Sequence, residues 1–112
     1  MTKTKSQQIK TQVLTAFQDL KLQLQQHNGQ NQFQYILPIL DTGIEKVSTD
    51  QQVPELEALA VYHTISTQLF VDQLRLNQSE QLSFIAIEKL AHANKGRNML
   101  NLLNVTNLWP SN

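Results

Sequence analysis

Apolar residues recur along the chain at three- and four-residue steps, the spacing of one face of an α-helix, in four successive stripes. The first is Ile9, Val13, Phe17, Leu20 and Leu24. Thr4-x-x-Gln7 upstream has capping-box spacing, and His27-Asn28-Gly29 downstream offers residues that adopt a left-handed cap, which predicts a helix over about residues 5–27. The second stripe is Phe33, Ile36, Leu37, Leu40, Ile44 and Val47, over about residues 32–47. Pro38 lies inside it. A proline interior to a helix loses a hydrogen bond and clashes with the preceding turn, costing about 3 kcal/mol, so the helix either kinks there or properly begins near Pro38. Gly43 weakens the segment further.

Val53-Pro54-Glu55 reads as a third start, with proline near the first helical position and Glu55 and Glu57 facing the positive end of the helix dipole. Ala58, Tyr62, Ile65, Leu69 and Leu76 share one sector of a helix over about residues 54–76. Phe70 and Leu74 lie to its side and are read as a second core-facing row, the alternative being a contact surface. Asn77-x-x-Glu80 is another capping-box start, followed by Leu82, Ile85, Ala86, Leu90 and Ala93 up to Lys95-Gly96, a helix over about residues 78–94. The predicted core includes Phe17, Leu20, Tyr62, Ile65, Leu69, Ile85 and Leu90. Short connections between four amphipathic helices predict one all-α domain, an antiparallel up-down-up-down four-helix bundle, with an extended C-terminal tail over residues 97–112.

Composition narrows the function more than the fold. The 112 residues hold 9 Lys+Arg, 9 Asp+Glu and no Cys, which excludes a disulfide framework, a thiolate zinc site and a thiol nucleophile. Zero formal charge argues against a nucleic-acid partner, whose binding depends on neutralising many phosphates. No apolar run approaches the roughly 18 residues of a membrane span, and the expectation is a cytoplasmic monomer. Amides stand in for charges: 16 Gln and 9 Asn occur, and they alternate with apolar residues at helical spacing, which favours a folded chain over a disordered one. Charge is also segregated. Residues 19–88 carry three basic and nine acidic side chains, whereas residues 89–112 carry Lys89, Lys95 and Arg97 and no acid.

Catalytic chemistry finds little support. His27, His63 and His92 are the only histidines, and although Glu88 and His92 are four apart on one helix, no Glu-x-x-His pair of the di-iron bundle type occurs. A histidine at a helix end is favoured by the dipole alone. Neither a phosphate loop, a nucleophile elbow nor zinc spacing is present, so no enzyme activity, metal or cofactor is expected. The lone Trp109, followed by Pro110, is more informative: it either folds back into a groove between helices or serves as a recognition anchor.

Lys3-Thr4-Lys5-Ser6, Gln34-Tyr35, Thr42-Gly43-Ile44, Gln51-Gln52 with Pro54-Glu55, Val61-Tyr62, Val71-Asp72, Leu90-Ala91-His92, Lys95-Gly96 and Trp109-Pro110-Ser111 stand in the order found in another group of proteins. On these residues the chain resembles the immunity proteins of pediocin-like (class IIa) bacteriocins, over essentially its whole length. No single motif is diagnostic, and the weight lies in the number of matches kept in register. The resemblance implies an antiparallel four-helix bundle that protects a bacteriocin producer from its own peptide. It would act from the cytoplasm, partly associated with the inner face of the membrane. There it would engage the membrane components of the mannose phosphotransferase permease in complex with the bacteriocin and block the pore.

In that family the C-terminal half governs which bacteriocin is resisted, which maps here to the third and fourth helices and the tail. Lys95, Arg97, Leu102, Leu103, Leu108, Trp109 and Pro110 are the residues this assigns to receptor and bacteriocin specificity. Two departures stand out. Pro38 replaces an acidic residue of a family member, and Arg97-Asn98 replaces a Trp-Gly after Lys95-Gly96, within the half that carries specificity. The residues by themselves leave open a second class, a helical adaptor or antitoxin that binds its target peptide directly.

Overall fold

The computed structural model describes residues 5–27 and 30–106, with side chains over 7–27 and 32–92. The described residues form four helices and no strand: α1 (Lys5–Gln25), α2 (Leu37–Ser48), α3 (Pro54–Asp72) and α4 (Gln78–Thr106), with a short 3-10 turn at Gln30–Phe33. Each helix runs antiparallel to the next. Lys10 near the start of α1 pairs with Asp50 just beyond α2, and Lys21 near its end pairs with Asp41 near the start of α2. On the other flank Gln23 donates to Ser83 Oγ at 2.7 Å, which sets the end of α1 beside the start of α4. α3 packs on α2 and α4, and this is the antiparallel four-helix bundle that the stripes predict.

Pro38 breaks the second stripe by starting its helix rather than kinking it. It occupies the first turn of α2, where its missing N–H has no intrahelical acceptor to lose, and the preceding residues take up the 3-10 turn. Gly43 is the place where α2 comes closest to its neighbours. A Cβ there would lie 2.8 Å from Val61 Cγ2 of α3 and 3.0 Å from the Phe17 ring of α1, so the glycine is a packing requirement. α2 ends in a Schellman motif around Asp50, whose φ is 59°, with Gln51 N–H donating to the Lys46 carbonyl and Asp50 N–H to the Val47 carbonyl.

The core is Val13, Phe17, Leu20 and Leu24 of α1, Phe33 and Ile36 before α2, Leu40 and Val47, then Ala58, Val61, Ile65, Ile87 and Ala91. Phe17, Leu20 and Ile65 are buried as expected, and Tyr62, Leu69 and Leu90 are half-buried against them. Ile85 is not in the core: it is exposed, as is Leu82, because the inward row of α4 is Glu80, Phe84, Ile87 and Ala91. Phe70 also lies elsewhere than expected. It is 84 % exposed instead of forming a second core-facing row, while Leu74 does pack against the core.

Besides the start of α2, expected near residue 32 and found at Leu37, helix boundaries differ at three places. α1 stops at Gln25 and α3 at Asp72, where Gln73 adopts φ 56° and Leu74 N–H donates back to the Leu69 carbonyl. That reversal leaves Leu76 outside α3. α4 continues through Lys95 and Gly96 to Thr106, so residues 97–106 of the expected tail are helical. The Thr4 cap and Asn28-Gly29 lie outside the described residues.

Candidate functional site

The C-terminal half of the bundle is held together by polar contacts that the capping-box spacing foretells. Asn77 and Glu80 satisfy one another reciprocally: Asn77 N–H donates to Glu80 Oε1 at 2.9 Å, and Glu80 N–H to Asn77 Oδ1 at 2.8 Å. Glu80 is 1 % exposed, and its other oxygen accepts from His27 Nδ1 at 2.6 Å. His27 in turn sets its ring edge-on to Phe33, with centroids 4.9 Å apart. One buried carboxylate therefore caps α4 and clasps the end of α1, close to the positive pole of the α4 dipole. The sequence marks Glu80 only as a cap; its pairing with His27, 53 positions away, follows from the antiparallel packing.

A second cluster lies on the seam of α3 and α4. The Tyr62 ring stacks on Phe84 with centroids 5.1 Å apart and meets His92 edge-on at 6.0 Å. Its hydroxyl donates to Glu88 Oε2 at 3.1 Å. Burial raises the Tyr62 pKa above its usual 10.0, and the adjacent Glu88 carboxylate, which accepts from the neutral phenol and repels a phenolate, raises it further. Glu88 and His92, the one pair spaced for a shared ligand, thus both engage Tyr62. Among the described residues no three His, Asp or Glu side chains are grouped to hold a metal ion.

Outside these clusters the same two helices carry large apolar side chains into solvent. Leu56, Phe70 and Val71 project from α3 and Leu82 and Ile85 from α4. The solvent row of α3, Leu56, Ala60, His63, Thr67 and Val71, bears no Lys, Arg, Asp or Glu. No helix of the described residues is long and apolar enough to cross a membrane.

Of the residues assigned to specificity, Lys95, Arg97, Leu102 and Leu103 fall on the last turns of α4, with side chains outside the described set. Leu108, Trp109 and Pro110 lie outside the described residues altogether. The exposed Phe70, Val71, Leu82 and Ile85 were not among them. Their signal was present in the apolar excess of α3 and α4, which is wider than one buried face requires.

Comparison with known proteins bears on the whole chain. No family model matches the chain. The Pediocin PA-1 immunity protein of Pediococcus acidilactici is 45 % identical over 111 residues, covering 99 % of each chain. Identity at that level, over nearly the whole of both chains and on a four-helix bundle, leaves one conclusion: the chain belongs to the family of pediocin-like (class IIa) bacteriocin immunity proteins.

Proposed function

We propose that this protein protects a bacteriocin-producing cell from a pediocin-like peptide by binding the bacteriocin-loaded membrane components of the mannose phosphotransferase permease from the cytoplasmic side, blocking the pore. The observation that carries the reading is the near full-length identity to the Pediocin PA-1 immunity protein. The family is non-catalytic, so protection depends on a binding surface, and the chain acts as a monomer at the inner face of the membrane. The surface we assign combines the exposed apolar residues of α3 and α4 with the basic, acid-free C-terminal segment. Lys95, Arg97, Leu102, Leu103, Leu108, Trp109 and Pro110 set which receptor–bacteriocin complex is recognised. Trp109 is its main anchor, because a large amphipathic ring gives the most contact area for the least lost freedom.

Expression in a sensitive strain, followed by challenge with a panel of pediocin-like bacteriocins, tests the reading. Protection against at least one peptide is expected. Trp109→Ala should lower it at equal protein level while Lys3→Ala leaves it unchanged, and exchange of residues 53–112 with those of a relative should transfer the relative's pattern. Full resistance in Trp109→Ala cells, or specificity that stays with the N-terminal half, would refute the assigned surface. Tight binding to free bacteriocin without permease would favour direct capture instead.

A further inference from the structure

We propose that the groove between α2 and α3 is a binding site for a basic peptide segment, with the guanidinium of one arginine seated on the Glu57 carboxylate. The groove has a volume of about 410 Å³, large beside the ~30 Å³ share of a liquid water. Pro38 and Ile39 of α2 and Val61 of α3 supply apolar walls, and Gln52 and Thr64 supply polar atoms near Glu57. Glu57 is 5 % exposed, and among the described residues no hydrogen bond or ion pair reaches its carboxylate.

Near-complete burial without a partner distinguishes it from the other acids, Glu55 being unpaired too but only half-buried. Asp41 and Asp50 are paired with lysines, Glu80 with His27, Glu88 with Tyr62 and Asp72 with Gln68, and Asp19 and Glu45 are exposed to water. The Glu57 oxygens are not sealed from water, but little of the side chain is exposed, and a cation entering the groove gives the carboxylate the partner that the chain does not. Guanidinium fits better than ammonium. It is weakly hydrated, forms two parallel bonds to a carboxylate, and can lay its flat face on apolar walls. Lys46 lines the same groove without reaching Glu57, so the carboxylate is not taken by the chain's own cation. The surrounding segment favours the same sign of ligand, since residues 19–88 hold nine acidic against three basic side chains. The site does not depend on the immunity reading, although its Glu57 directly follows Leu56, one of the exposed apolar residues assigned to that surface.

Amide spectra of the full-length ¹⁵N-labelled protein, titrated with acetyl-Gly-Arg-Gly amide, test the proposal. Saturable shifts are expected at Thr42, Gln52, Ala60 and Thr64, with none at Gln12 or Lys89 in the groove between α1 and α4, and none on adding acetyl-Gly-Gln-Gly amide. Glu57→Gln should weaken binding at least about tenfold, whereas Glu45→Gln on the exposed side of α2 should leave it within about twofold. Should Glu57→Gln fail to fold, Ala60→Arg supplies an internal guanidinium at the groove and should abolish the shifts. The proposal is overturned by equal binding in wild type and Glu57→Gln, by undiminished binding in a folded Ala60→Arg protein, or by acetyl-Gly-Glu-Gly amide shifting the same residues in a Lys46-dependent way.

Discussion

α1 and α3 are nearly equal in length, 21 and 19 residues, and each buries a single row, yet their outer faces are opposites. α1 presents Gln8, Thr11, Gln12, Thr15, Gln18 and Gln25 to water, with Leu22 as its one exposed large apolar residue. α3 presents Leu56, Phe70 and Val71 together with alanine and threonine. A helix that commits nearly all of its apolar residues to the core has little left to offer a partner. One that keeps apolar side chains in solvent has surface free for a partner, and α3 belongs to the half to which we assign specificity.

The sharpest way to break this contrast is to remove one phenylalanine from each helix. Phe17→Ala should cost about 3–5 kcal/mol in denaturant unfolding, since the ring is fully buried between α1 and Gly43 of α2. Phe70→Ala should stay within about 0.5 kcal/mol, with any loss appearing in bacteriocin protection. Equal losses of stability would mean that the outer face of α3 is structural after all.

Next in size is the clasp between the two halves. Glu80→Ala removes the cap of α4 and the partner of His27 together, and should lower stability by about 2–3 kcal/mol. A double-mutant cycle with His27→Ala isolates the link to α1, and additive losses would show that Glu80 acts only as a cap. Gly43→Ala should cost about 1–2 kcal/mol even though alanine is the better helix former, because Val61 and the buried Phe17 ring must shift to admit a Cβ. A gain in melting temperature would show that α2 can slide outward.

The smallest effect is confined to alkaline pH. Tyr62 has its folded pKa raised above the unfolded value of about 10, so its contribution is fully present below that pH and is lost as pH rises through the folded value. Wild-type stability should therefore fall more steeply above about pH 10 than that of Tyr62→Phe. Parallel profiles would show that the α3–α4 seam does not depend on a neutral phenol.

The comparison also explains which parts were legible beforehand. In α1 the Gln and Thr positions leave one apolar row, so Val13, Phe17, Leu20 and Leu24 could be assigned inward without ambiguity. In α4, Leu82, Phe84, Ile85, Ala86, Ile87, Leu90 and Ala91 surround much of the helix, and periodicity supported the row through Ile85 as readily as the row through Ile87. The end of α3 was hidden for a different reason. Gln73 takes the left-handed conformation that glycine or asparagine would have advertised, so nothing marked the stop before Leu74. At Gly96 the reverse holds: a residue that commonly ends helices sits within one.

Sequence alone determined the number of helices, the inward face of α1, a break in the second stripe at Pro38 and the cap of α4, because each rests on local spacing or on the covalent restriction of one residue. Tertiary structure decided the rest. Which apolar row of α4 turns inward, whether Phe70 is core or surface, and that Glu57 is buried without a partner depend on neighbours far away in the chain. A helix with apolar residues on more than one side can bury only the sector its neighbours cover, and the remainder becomes the surface available for binding.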